Sequence, residues 1–198
     1  MTTLPKTPRS TTRRKGDRAS HDAAAIHAVL DEALVVHVGF IQDGQPFVIP
    51  TNGWRVGEHL YFHFATGSRI AQMMGAACEL CVTATLLDGL VLARSAMHHS
   101  MNFRSVMLFG QPEAVQDPDE KGRVLAALVE KVTPDRASRV RPADQKELAV
   151  TAVFRLPIAE GSLKARSGPP QDRPDDLTRP VSAGVVPLRL VAGDLIPA

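Results

Sequence analysis

Hydrophobic positions along this chain change their period several times, and each change marks an element. In SHDAAAIHAVLDEA (20–33), Ile26, Val29, Leu30 and Ala33 fall at helical spacing behind Ser20 or Asp22 as a cap, which predicts an amphipathic helix. LVVHVGFI (34–41) is β-branched, QDGQ (42–45) places an Asp-Gly pair at a turn, and PFVIPTNGWR (46–55) runs back, which predicts a hairpin. VGEH turns the chain again into LYFHFA (60–65), where Leu60, Phe62 and Phe64 share one face and Tyr61, His63 and Ala65 the other. TGSRIAQMMGAA (66–77) predicts a short helix entered through Gly67 and Ser68, with Ile70, Met73 and Met74 on one side.

Strands dominate the middle of the chain. CELCVTATLLDGLVLARSAM (78–97) predicts two strands joined at Asp88 and Gly89, and NFRSVMLFGQPEAV (102–115) one further long strand. DPDEKGRVLAALVEKV (117–132) predicts a helix capped by Asp117, with acids in its first turn and Lys131 in its last, as the helix dipole favours. KELAVTAVFRLPI (146–158) returns as a last strand. From about Gly161 the pattern loosens into RSGPPQDRPDDLTRP, whose proline and charge density predicts a surface crossing. VVPLRLVAG (185–193) regains apolar character and reads as a terminal segment laid back on the barrel or on a second subunit. Six strands in antiparallel order, with flanking helices, predict a mainly β protein closed as a barrel. There is no internal repeat, G-x-G-x-x-G or Walker-type loop, which disfavours a Rossmann or P-loop domain.

Length and composition bound this picture. With 198 residues and 44% hydrophobic content, one core is expected, hence one barrel domain over 19–160 between a basic arm (1–18) and an extension (161–198). No apolar run is long enough to cross a bilayer and the N-terminus lacks the apolar stretch of a secretory signal, so a soluble cytoplasmic protein without a membrane partner is expected. A net charge of +2, with acids and bases interleaved, gives no reason to expect nucleic acid. The arm carries Lys6, Arg9, Arg13, Arg14, Lys15 and Arg18 against Asp17 and offers only Leu4 to bury, which predicts a solvated, flexible segment. It could instead fold over an anionic ligand, because the arginine fork suits phosphate. Cys78 and Cys81 have no second Cys-x-x-C to complete a zinc set, so ordinary half-buried thiols and no metal are expected.

Three polar clusters stand where strands end: PTNGW (50–54), HFATGSRI (63–70) and HHSMNFRS (98–105). In the second, Gly67 lets the backbone come close, Ser68 offers a hydroxyl, Arg69 a fork, and a helix N-terminus follows. Those are the parts of a phosphate cradle, although a serine before a helix serves equally as a plain cap. His63 sits on a strand whose other face is apolar, which a half-exposed structural histidine explains as well as a functional one. Asn102 and Arg104 share one strand face, Phe103 and Ser105 the other. No Ser/His/Asp or Cys/His arrangement is legible, so hydrolysis has no visible machinery.

VIPTNGWRVGEHLYFHFATGSRIAQM and CVTATLLDGLVLARSAMHHSMNFRSVMLFG resemble the pyridoxamine 5′-phosphate oxidase-like flavin-binding split barrels, specifically the branch with the nitroimidazole-resistance flavoproteins, over about residues 10–195. The resemblance implies a six-stranded antiparallel split β-barrel with flanking helices, paired as a homodimer that holds two FMN molecules in grooves between its subunits. It places Pro50, Thr51 and Asn52 beside the isoalloxazine ring and ribityl chain, Ser68, Arg69 and Ile70 on the phosphate side, and His63 facing the flavin. Asn102, Arg104, Ser105 and Val106 would line the dimer groove. The chain departs at Ile70, where relatives commonly carry lysine or leucine, at Phe64, where they carry a small residue, and at Ser182, where many carry tryptophan. The implied activity is that of an FMN-dependent oxidoreductase, passing electrons from a reduced nicotinamide or similar donor to a small acceptor, with His63 or His99 assisting proton delivery. The other reading is a flavin or haem carrier or sensor without turnover, in which His98 and His99 would suit an axial haem ligand.

Overall fold

Asp22 begins the first helix: its carboxylate accepts from the Ala24 N–H at 3.3 Å, and the stripe of Ala23, Ile26, Val29 and Leu30 is buried. The computed structural model describes residues 2–76 and 78–197. Met1 of the arm, Ala77 at the end of the expected second helix and Ala198 of the extension lie outside them. The elements are, in order, β1 (Ala19–Ser20), α1 (Ala23–Glu32), β2 (Val36–Gln42), β3 (Gln45–Thr51), β4 (Trp54–Val56), β5 (His59–Ala65) and α2 (Arg69–Gly75). Then follow β6 (Leu80–Leu92), β7 (Ser100–Gly110), β8 (Glu113–Ala114), α3 (Pro118–Val132), α4 (Gln145–Val150), β9 (Thr151–Pro157), β10 (Gly161–Arg166) and β11 (Gly184–Pro187).

These strands form two antiparallel sheets. One runs β1-β10-β7-β6-β2-β3, with β11 also paired to β6; the other runs β4-β5-β9-β8. The fold is mainly β with flanking helices, but where the pattern predicted six strands closing a barrel, the described residues form eleven strands in a seven-stranded and a four-stranded sheet. By its contacts the chain divides into two compact units, Met1–Thr85 with Ser105–Lys164, and Leu86–Arg104 with Ala165–Ala198. No helix among the described residues is long and apolar enough to cross a membrane.

In the first unit, the β2–β3 hairpin turns at Asp43 and Gly44, both at positive φ (51° and 74°), as a two-residue hairpin loop with right-handed strand twist requires. Alternation buries Val36, Val38 and Phe40 on one face of β2. In the four-stranded sheet Trp54 pairs with Tyr61 across β4 and β5, and both pack with Val115, Val124 and Val153 under Leu125 and Leu128 of α3.

Four expectations change. Strand β6 is one continuous strand: Asp88 and Gly89 do not turn but pass β11, where a Cβ at position 89 would meet Val185 Cγ1 at 2.9 Å and the Val186 carbonyl at 3.0 Å. A glycine that signals a turn in sequence here serves close strand approach. Residues 146–150, expected as the start of the last strand, belong to the helix α4 because Asp144 and Glu147 form a reciprocal capping box, so β9 starts only at Thr151. The strand expected over 102–115 breaks after Gly110 and resumes as β8. Beyond Gly161 the chain is not loose at once, since β10 lies between β1 and β7.

The basic arm lies against the first unit rather than standing in solvent. Thr3 bridges Asp22, Leu4 is buried, and the Leu4 N–H donates to His21 O at 2.8 Å. Arg9 forks onto Glu160 at 2.9 and 2.7 Å, reaches Glu79 at 2.9 Å, and stacks 4.9 Å over the Phe109 ring. Its partners are 70 and 151 residues away in sequence, so the arm's own composition could not show them.

Candidate functional site

Because β2 alternates, the face opposite its buried residues presents His37, Gly39 and Ile41 outward. With Val48 of β3, Cys81 and Thr83 of β6, and Arg9 at one end, they line an open, largely apolar groove of about 410 Å³ in the first unit. Apolar walls with a few polar groups are the usual make-up of a ligand site.

Above the hairpin, Pro50 and Asn52 are exposed and Thr51 half-buried, with Asn52 Nδ2 donating to Leu34 O at 3.4 Å. Gly53 is buried so closely on Val36 that a Cβ would meet both its methyls, at 2.7 and 2.8 Å. Lys131, from the last turn of α3, donates its ammonium to Gly53 O and Leu30 O, each at 2.7 Å. Burial pushes this lysine down to about 8. It ties the end of α1 to the turn after Asn52, a role the sequence did not disclose: a last-turn lysine there spoke only of the helix dipole.

Ser68 caps α2 through the Ala71 N–H at 3.3 Å, which realises the plain cap reading. Arg69 is exposed, its guanidinium 5.3 Å over the Phe47 ring, and no carboxylate pairs with it among the described residues. Its fork therefore keeps donors for an anion. Ile70 is turned into the core. His63 is half-buried beside Trp54, ring centroids 5.8 Å apart, and its buried Nδ1 has no hydrogen-bond partner. Phe64 is half-buried on the same strand. Ser105 Oγ lies 3.3 Å from Thr85 Oγ1, and Val106 is a core residue.

Burial pushes the His63 imidazolium below its ordinary range. The folded state then binds this proton less readily than the unfolded chain, so the contribution of His63 to stability is fully present above about pH 6.5 and is lost as pH falls through the lower folded value. Unfolding measured by denaturant from pH 7.5 to 5 should show a decline that is shallower in His63→Gln. Equal slopes in both proteins would remove His63 from this role.

The remaining residues named from sequence belong to the second unit. Asn102 is buried, donating through Nδ2 to Gly168 O at 3.2 Å and accepting from Arg166. Arg166, itself buried, also donates to Gly168 O at 3.2 Å and Pro169 O at 2.9 Å. Asn102 thus anchors the segment after β10, a partner hidden in sequence because Arg166 fell where the pattern loosened. Arg104 forks onto Asp88 at 3.1 and 2.7 Å. His98 Nδ1 lies 2.5 Å from Ser95 Oγ and His99 Nδ1 3.0 Å from Ser95 O. Ser182 is exposed.

Cys78 and Cys81 are free and half-buried, and burial pushes both thiols up, which leaves little thiolate at neutral pH. No group of three or more His, Cys, Asp or Glu among the described residues is placed to hold a bare metal ion.

The family model described as pyridoxamine 5′-phosphate oxidase matches residues 22–165. Among solved structures, the chain is 39% identical to the flavocytochrome Anf3 from Azotobacter vinelandii, with a TM-score of 0.90 covering 97% of this chain and 89% of that one. It is 34% identical to the FAD and heme binding protein from Mycobacterium smegmatis, with a TM-score of 0.87 covering 91% and 89%. A candidate 5-nitroimidazole antibiotic resistance protein from Bacteroides thetaiotaomicron shares the fold at 23% identity, TM-score 0.63, over 74% and 85%. None of the curated proteins matches. A family match over most of the chain and two structural relatives above 30% identity agree: the chain belongs to the pyridoxamine 5′-phosphate oxidase family.

Proposed function

We propose that this chain is a flavoprotein that passes electrons from a reduced nicotinamide or similar donor to a small acceptor. The observation that carries the reading is 39% identity over 97% of the chain to a flavocytochrome. The residues present fit such a ligand: an arginine fork without a carboxylate partner, an exposed Asn52 amide, a capping hydroxyl at Ser68, and a half-buried His63 ring with an orphaned nitrogen. Pro50, Thr51 and Asn52 would hold the ring and ribityl chain, and Ser68 and Arg69 the phosphate, with Ile70 supporting them from the core. A bound flavin supplies hydride acceptance and onward electron transfer, while the protein supplies position and electrostatics. His63 Nδ1, with no protein partner, would hold or release a proton beside the ring, and Trp54 fixes the imidazole's orientation.

FMN is the flavin that one phosphate-side segment suits; the M. smegmatis relative is an FAD and heme binding protein. Mass spectrometry of the ligand released from purified protein decides between the two. Paired flavin bands that bleach anaerobically with NADH are expected, and a colourless protein that takes up neither flavin overturns the reading. Arg69→Ala should weaken flavin binding by about 1 kcal/mol, roughly fivefold, the lower end of a charge-assisted hydrogen bond because the side chain is solvent-exposed. Fluorescence titration of the apo-protein measures it, and unchanged affinity removes Arg69 from the phosphate side.

A second reading adds haem to the flavin, favoured because both relatives above 30% identity carry haem in their description, as a flavocytochrome and as an FAD and heme binding protein. A Soret band beside the flavin bands is its signature.

A homodimer belongs to the same proposal. Ile41 and Val48 are 60% and 66% exposed on the hairpin, an apolar face that water alone covers poorly. Sedimentation at low micromolar concentration should give twice the chain mass of 21.4 kDa, and a monomer that still binds flavin refutes a shared groove.

A further inference from the structure

We infer that His99 offers its Nε2 as an axial ligand to haem iron, presented by the turn between β6 and β7; this rests on the haem reading above. The turn is closed by Ser95, whose carbonyl accepts from the His98 N–H at 3.2 Å and stands 3.0 Å from His99 Nδ1. A carbonyl oxygen can only accept, so Nδ1 of His99 carries the hydrogen. The neutral ring then has its lone pair on Nε2, the form a metal takes, and a backbone carbonyl on the other nitrogen is the usual device that orients a ligating imidazole.

His98 is held differently. Its Nδ1 faces the Ser95 hydroxyl at 2.5 Å, a group that both donates and accepts, so its tautomer is not fixed and it is the poorer ligand. His99 is exposed and its Nε2 meets no protein group among the described residues. Met97 and Met101, which flank the histidines along the chain, are 89% and 48% exposed, soft apolar surface of the kind a porphyrin covers.

The ligand count selects haem over a bare ion. A structural or catalytic divalent metal needs three or four protein ligands, and no group of three possible ligands exists among the described residues. A porphyrin brings four nitrogens of its own and asks the protein for a single imidazole.

Titration of the purified full-length protein with haemin tests this, followed by Soret position and by electron paramagnetic resonance of the ferric form. Wild type should show imidazole ligation. His99→Ala should bind haemin on the order of tenfold more weakly or worse and lose that signature, with added imidazole restoring it. His98→Ala and Ser95→Ala should stay within about twofold of wild type, because neither changes the carbonyl that holds His99. Should His99→Ala be poorly soluble, His99→Cys reports instead through a thiolate-type Soret shift. Uptake of haem with an unchanged spectrum in the His99 variants, or loss of ligation in His98→Ala instead, overturns the inference and leaves the haem reading standing. A wild-type protein that binds flavin and no haem overturns both.

Discussion

Trp54→Ala lowers the free energy of unfolding by about 3–5 kcal/mol, the range for removing a large aromatic side chain from a core. Trp54 is 1% exposed, stacks on Tyr61 at 6.1 Å, and closes the cluster of Val115, Val124 and Val153 beneath α3. The cavity cannot collapse easily, because its walls come from a sheet on one side and a helix on the other. Trp54→Phe costs less than its size suggests, about 1–2 kcal/mol, since the indole Nε1 is buried without an acceptor and phenylalanine removes that unsatisfied donor. Denaturant titration followed by circular dichroism measures both, with midpoints shifting at constant slope. Because Trp54 follows the Asn52–Gly53 turn and supports the His63 ring, Trp54→Ala should also weaken flavin binding. An alanine variant within about 1 kcal/mol of wild type would show that this cluster is not the core it is described as.

Elements whose signal is local were legible in sequence. The stripe of α1, the Asp43–Gly44 turn and the Asp117 cap of α3 each depend on residues within one or two turns of each other, and each forms where its pattern said. Asp88 and Gly89 carried the same kind of signal and misled, because Asp88 is spoken for by Arg104 and Gly89 by the approach of β11, neither of which is near it in sequence. The Asp144–Glu147 pair that starts α4 went unread, because the β-branched residues after it made the whole stretch look like strand. The short, polar strand β10 has too few alternating positions to declare itself.

The site divides in the same way. Ser68 as a cap and His63 as half-buried follow from their neighbours. That Arg69 rests on Phe47, that Lys131 holds Gly53, and that Asn102 holds Arg166 are contacts between elements, and residue type alone does not predict them. Ile70, placed on the phosphate side by resemblance, contributes from the core, since the helix that positions Arg69 outward turns its next residue inward.

Gly161→Ala should destabilise the protein by about 3 kcal/mol, although glycine to alanine is a small change. A Cβ at this position would stand 2.6 Å from both the Met107 carbonyl oxygen and Leu108 Cδ2. The first is strand backbone and the second belongs to a fully buried side chain, so neither gives way without shifting β7 from β10. Such a shift reaches the arm, because the Phe109 N–H donates to Glu160 O at 3.0 Å while the Glu160 carboxylate accepts from Arg9 and Thr7. Limited trypsin digestion at Arg13 and Arg14 should then be faster in the variant than in wild type. Gly122→Ala is the matched control: it lies in α3 with nothing within 4 Å of a new Cβ, and should stabilise by about 0.5–1 kcal/mol through helix propensity alone. If both glycine variants move stability in the same direction, β10 does not approach β7 as closely as 2.6 Å implies, and the anchoring of the arm through Glu160 falls with it.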